Sequence, residues 1–299
     1  MAVVEGLYRF PVKSMRGEGL AEAELGPSGV VGDRAYALLD EDEGRLASAK
    51  SPRKWGGLLG FRATFVDEPD AGAPPPPVDI EFPDGTRVRS DDPEVHALLT
   101  KALGRPVRLI ASAGAETAGL QFEEVWPDIE GLAPEEFVAS TTVGREEGSD
   151  EVLSAIPVGM FAPPGSFFDL SPIHLLTTAT LDSLRAKAPD ATFDVRRYRP
   201  NVLLAVDTGD EGFVENDWVG RSVALGDEGA ALTVSLPTMR CVMTTLPQED
   251  LPRDRATLQA IALHNRVEIA GFGTWACAGA YCGVGSGGRV RVGDGYSIE

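Results

Sequence analysis

Cysteine and histidine are scarce in this chain, with three of each among 299 residues. Cys241, Cys277 and Cys282 are too few and too oddly numbered for a disulfide framework, and they fit a reducing compartment. His96, His174 and His264 form no His-x-x-x-His pair, so no four-ligand zinc site with convincing spacing is expected. Positive charge is also in deficit: 27 Lys+Arg face 46 Asp+Glu, a formal net charge of −19. That balance argues against a protein whose main task is to grip nucleic acid or anionic membranes, though not against a local basic pocket. No apolar run approaches the ~20 residues of a membrane span. Met1–Phe10 contains Glu5 and no apolar signal core, so a cytoplasmic location is expected. There is no Gly-x-Ser-x-Gly elbow and no Walker loop.

What is abundant is turn-forming residues, 34 glycines and 22 prolines, which point to a β-rich chain. Strand-like runs recur at Val3–Phe10, Ala35–Asp40, Val107–Ala111, Val202–Val206, Leu232–Leu236 and Arg289–Val292. Asp84-Gly85, between Ile80–Phe82 and Arg87–Arg89, predicts a hairpin because these residues accept positive φ. Pro74–Pro77 predicts a stiff loop between strands. Three helices are predicted: one capped by Asp92-Pro93 and stopped at Gly104, one from about Thr178 to before Pro189, and one from about Pro252 to before Asn265. None sits in a regular βαβ series. Gly283–Gly288 precedes a strand, not a helix, and is expected to be a hairpin turn. The expected organisation is an N-terminal unit over residues 1–118, an irregular connection over 119–154 and a C-terminal unit over 155–299.

Three segments could carry chemistry. Cys241 follows a strand and a proline turn, next to Arg240, whose charge favours a thiolate able to act as nucleophile or soft-metal ligand. An isolated cysteine is also read as a small core residue. Arg196, Arg197 and Arg199 cluster ahead of a buried-looking strand with Asn201, where guanidinium forks and an amide could hold a phosphate or a polar heterocycle. The same arginines could equally pair with surface carboxylates. Lys13, Ser14 and Arg16, with Gly32-Asp33-Arg34, could form a second anion-binding wall.

Taken in order, these segments resemble one family. Tyr8-Arg9-Phe10-Pro11-Val12-Lys13-Ser14 and Gly32-Asp33-Arg34 resemble the N-terminal β-barrel module that precedes MOSC domains. Arg199-Pro200-Asn201, Glu215-Asn216-Asp217-Trp218, Met239-Arg240-Cys241, Phe272-Gly273 and Val292-Gly293-Asp294 resemble the MOSC domain, named for the molybdenum cofactor sulfurase C-terminus. The resemblance implies a β-rich α+β fold, an N-terminal β-barrel-like module followed by a MOSC β-barrel domain with a few flanking helices. Amidoxime-reducing molybdenum enzymes are the nearest in layout. By that likeness Cys241 is the molybdenum ligand and catalytic residue. Lys13, Ser14, Arg34, Thr177, Thr178, Arg199, Asn201, Arg240 and Trp275 become groups binding the molybdenum–molybdopterin cofactor.

Thr177-Thr178 would act at a helix N-terminus, whose free N–H groups suit a phosphate. Trp275 stands where a tyrosine is usual, so an indole N–H would replace a phenol. Thr238 stands where relatives often have a second cysteine, so no relay through paired cysteines is expected. Cys277 and Cys282 are expected in the core. Some bacterial relatives carry a C-terminal ferredoxin-like domain with four cysteines, and with the match running to Val292-Gly293-Asp294 no such domain is expected here. The implied activity is reduction of small N-hydroxylated compounds, with electrons from a separate ferredoxin- or cytochrome-type protein. The alternative is a carrier of cofactor or sulfur that turns over no substrate.

Overall fold

The strand Val3–Arg9 interrupts period-two alternation: a register shift between Val4 and Gly6 leaves Glu5 facing solvent and lets both Val4 and Leu7 point inward. The computed structural model describes residues 2–112, 122–127, 142–145, 152–157, 166–207, 209 and 211–299. In it this first strand does not stay with its own half of the chain. It pairs antiparallel with Val202–Ala205 on one side and with Glu18–Leu20 on the other. The sheet continues through Ile173–Thr177, the long strand Gly273–Ser286, Ala230–Met239, Ser222–Leu225 and Tyr296–Ile298. Val4, Leu7, Ile173, Leu175, Val202, Leu232 and Val234 share one buried core beneath it.

Ile173–Thr177 and Val202–Ala205 run parallel, with the helix Thr178–Lys187 in the crossover between them. A βαβ unit is therefore present, though not in a series. Thr177 caps the helix by accepting the Thr180 N–H, and Leu181 and Leu184 bury its inner face.

The N-terminal half closes a second core. Met15, Tyr36, Leu38, Trp55, Phe61, Ile80, Leu99 and Leu109 pack together there. The Asp84-Gly85 hairpin forms as predicted, with Gly85 at φ 84° between Val78–Glu81 and Arg87–Arg89. So does the helix Val95–Leu103: Asp92 accepts the Glu94 N–H at 2.8 Å and Gly104 stops it at φ 68°.

Two expectations need correction. The segment 119–154 is not wholly irregular: Glu123–Pro127 pairs with Val152–Pro157 and, in parallel, with Arg45–Leu46, and Thr142–Arg145 extends the same sheet. The pairing with Arg45–Leu46 reaches back some eighty residues, so the local pattern carries no sign of it. Gly283–Ser286 continues a strand, and the turn falls at Gly287-Gly288. There the chain passes to Gly288–Arg291, which pairs with Glu22–Gly26 of the N-terminal half. Residues 119–121 and 128–141 lie outside the described residues. No helix among the described residues is long and apolar enough to cross a membrane.

Candidate functional site

Among the described residues four non-glycines adopt positive φ: Ser14 (64°), Arg34 (48°), Arg199 (53°) and Glu249 (53°). Such residues are uncommon and cost free energy, so they persist only where the surroundings hold them. Three of the four are predicted site residues; Arg34 and Arg199 line a cleft where the two halves meet, and Ser14 is buried behind it. Arg34, Lys50, Asp169, Arg199, Arg240 and Cys241 line it, with Asn201, Thr238 and Trp275.

The N-terminal wall is a bank of cations balanced by carboxylates. Lys13 donates to the Phe167 carbonyl at 2.8 Å and pairs with Asp169, whose other oxygen takes Lys50 at 2.8 Å. Burial pushes the Asp169 carboxyl up, but the two lysines outweigh it and hold the group well below the usual carboxylate range. Arg34 pairs with the buried Asp33 and lies 4.7 Å from the centre of the Phe10 ring, on which Arg199 also packs at 4.1 Å. Gly32 makes the turn into Arg34 at φ 83°, and a Cβ there would come within 2.7 Å of the Phe65 ring. Ser14 Oγ accepts the Ala49 N–H at 3.1 Å, holding the segment that carries Lys50.

Facing it, Arg199 and Arg240 make no ion pair with a carboxylate among the described residues. Arg199 donates to the Met15 carbonyl at 2.6 Å, and burial together with Arg34 lowers its pKa to about 9. Arg240 donates to the carbonyls of Ala278 and Tyr198 and abuts the His174 ring. Burial, then Arg240, keeps His174 well below its ordinary pKa, so the imidazole is neutral. A Cβ on Gly279 (φ 86°) would fall 2.3 Å from His174 Nε2, so only glycine lets the two strands close here. Asn201 is a joint between strands: its amide donates to Asp33 at 2.8 Å and accepts the His174 N–H at 3.1 Å.

Cys241 is half-buried and faces this cleft, whereas Cys277 and Cys282 are fully buried in the sheet. Burial raises the Cys277 thiol to about 12 and raises Cys282 as well, so both are core residues. Arg240 was expected to lower the Cys241 pKa. Burial instead raises it, and Lys50 and Arg240 offset that only in part. Two residues of the cleft lining, Tyr198 and Thr238, have hydroxyls buried without a hydrogen-bond partner. Buried polar groups are rarely left so.

Of the predicted residues, Lys13 and Ser14 are buried behind the cleft lining, and Thr177 and Thr178 lie away from it. Thr177 is fully buried away from the cleft, donating to Glu215 at 2.8 Å, and Thr178 faces a separate surface groove beside His264. The helix is capped by Thr177 itself, and Glu215 ties the first turn in place, accepting the Thr180 hydroxyl at 2.6 Å and the Gly279 N–H at 2.9 Å. Trp275 lines the cleft, but its indole N–H is committed to the Phe272 carbonyl at 2.5 Å. Of the arginine cluster, Arg196 turns out to Asp194, Glu249 and Asp250, and Arg197 ties down the carbonyls of Thr192, Leu246 and Pro252.

Sequence reasoning missed Lys50, Asp169, Ser171, His174 and Tyr281, all lining the cleft. Asp169 and Ser171 precede the fully buried strand Ile173–Thr177, a position that could have flagged them. No group of three or more metal-ligating His, Cys, Asp or Glu occurs among the described residues.

Residues 1–54 match the MOSC N-terminal beta barrel domain and residues 164–297 match the MOSC domain. Among solved structures the chain is similar to the YUAD protein from Bacillus subtilis. Identity is 12%, covering 100% of this chain and 96% of that one, with a TM-score of 0.43. It is also similar to YiiM from Geobacillus stearothermophilus, at 14% identity over 56% of this chain and 73% of that one, TM-score 0.29. No curated protein matches. MOSC domains are associated in general with binding the molybdenum cofactor. The chain carries an N-terminal MOSC β module followed by a MOSC domain, and the cleft lies between the two.

Proposed function

We propose that this protein is a molybdenum-cofactor-dependent oxidoreductase that reduces small N-hydroxylated compounds with electrons from a separate protein. The observation that carries the reading is one cleft-facing thiol, Cys241, beside a bank of buried cations and two buried hydroxyls without partners. This donor set fits a polyanionic, sulfur-rich group. Cys241 Sγ would hold the metal, because a soft thiolate suits molybdenum and binding displaces the thiol proton that burial otherwise retains. Arg199, Arg34 and Lys50 would neutralise the anionic end, and Tyr198 and Thr238 would gain the partners they lack.

When bound, the cofactor supplies the two-electron centre for the reaction. The overall change is R–NHOH + 2e⁻ + 2H⁺ → R–NH₂ + H₂O. The protein's own groups bind and orient. Arg240, fixed by the Ala278 and Tyr198 carbonyls, keeps positive charge beside the thiol, which favours an anionic group bound there. His174, neutral and packed near Tyr281, adds no further charge there.

The test is reduction of benzamidoxime by reduced methyl viologen, using protein made in a host that synthesises the cofactor. Wild type should turn over, and Cys241→Ala should not. Activity retained in Cys241→Ala contradicts the assignment. A metal-free wild type carrying cyanide-releasable sulfur would identify a carrier instead.

A further inference from the structure

The turn that presents Cys241 has two faces. Cys241, Met243 and Thr244 line the cleft, while Val242, Thr245 and Leu246 line a groove of about 970 Å³ on the opposite side. The segment Lys50–Arg53 divides in the same way: Lys50 reaches the cleft, and Pro52 and Arg53 line the groove. The helix Ala256–His264 forms the far wall with Leu258 and Ala262. Arg197, fully buried, holds the turn rigid by donating to the Leu246 and Pro252 carbonyls at 3.2 and 2.7 Å. The groove floor is therefore one peptide away from the thiol.

The charge of this groove runs against the rest of the molecule. In a chain of net charge −19, exposed Arg53, Arg253 and Arg255 line it. Arg253 and Arg255 have no carboxylate partner among the described residues. Glu249 is the acidic residue of the lining, and Arg16, Arg62 and Arg196 already surround it. An apolar floor rimmed by Arg253 and Arg255 suits a protein partner whose contact face is acidic, because complementary rim charge steers encounter and fixes orientation.

We propose that this groove docks the electron donor, an acidic one-electron carrier protein, behind the cofactor-binding turn. The inference rests on the reductase reading above. A one-electron carrier docks twice per turnover, each time giving up one electron, and the two protons come from solvent. Entry from the groove side leaves the cleft mouth free for the N-hydroxylated substrate.

The test uses the cofactor-loaded protein, an acidic plant-type [2Fe–2S] ferredoxin as probe, and the double variant Arg253→Glu/Arg255→Glu. Binding of oxidised ferredoxin, followed by calorimetry, should weaken at least tenfold in the double variant and with added salt. In ferredoxin-driven turnover the loss should appear in KM for ferredoxin. Viologen-driven turnover and the thermal midpoint should stay at wild-type values. Wild type that does not bind the ferredoxin, or a double variant that binds it equally well, overturns the docking surface. So does binding of nucleic acid or anionic vesicles by the same arginines in preference to the ferredoxin. Ferredoxin binding without viologen-driven turnover in wild type would instead overturn the reductase reading and leave the surface standing.

Discussion

Two polar sites lie close together around the strand Gly273–Ser286, and they differ in how complete they are. Around Glu215, two threonine hydroxyls and the Gly279 N–H converge on one carboxylate, and every donor is used. Around Cys241, two hydroxyls have no partner, three arginines are gathered, and Arg34 and Arg199 hold strained backbone conformations. The first arrangement stabilises the fold and has nothing left to offer a ligand. The second is incomplete as protein alone, which is what a binding site requires. A motif containing Thr177 and Glu215 can therefore mark a family and still be structural.

Substitutions should separate the two sites by size and sign. Glu215→Ala strands three donors in the core and should cost about 3 kcal/mol or more in urea unfolding. Glu215→Gln should cost less and reveal a pH signature. Burial raises the native Glu215 pKa, so the native state holds a proton that the unfolded state releases above about 4.5. Wild type should thus lose stability relative to Glu215→Gln as pH rises from about 4.5 through the raised native value. A flat difference would show that Glu215 is not the closed centre described. Gly279→Ala should cost about 2 kcal/mol by the same measurement, because its methyl must displace His174 or the Leu175 carbonyl.

On the open side the effects shrink and then change sign. Asp169 bridges Lys13 and Lys50 but is 37% exposed, so Asp169→Asn should cost only about 1 kcal/mol. Its lowered pKa adds stability above the unfolded value near 3.9, lost as pH falls below it, and the variant should lack that acid-side loss. Tyr198→Phe removes a hydroxyl with no partner, so unfolding of the cofactor-free protein should show no loss, or a gain of up to about 1 kcal/mol. A clear loss there would mean that the cleft is as closed as the Glu215 cluster.

What the sequence disclosed follows the range of the forces involved. The Asp84-Gly85 hairpin and the Asp92 to Gly104 helix are set by neighbouring residues and were legible. Pairing of Val3–Arg9 with Val202–Ala205, and the strands after Glu123, depend on distant partners and were not. In the site, Arg34, Arg199, Arg240 and Cys241 stood out through motif context. Lys50, Asp169 and Tyr281 lie in ordinary-looking segments and become site residues only when folding assembles the cleft. Thr177-Thr178 misled for the complementary reason: a helix N-terminus can suit an anion, but here the Thr177 hydroxyl caps the helix itself and donates to the buried Glu215.

The central claim is that Cys241 is the ligand completing an unfinished site. The direct measurement is elemental molybdenum per chain, with pterin fluorescence after oxidation, in wild type and Cys241→Ala made side by side in a cofactor-synthesising host. The account predicts near-stoichiometric metal in wild type and its loss in Cys241→Ala, with the unfolding midpoint of the cofactor-free protein unchanged. Metal-free wild type, or metal retained by Cys241→Ala, would contradict it.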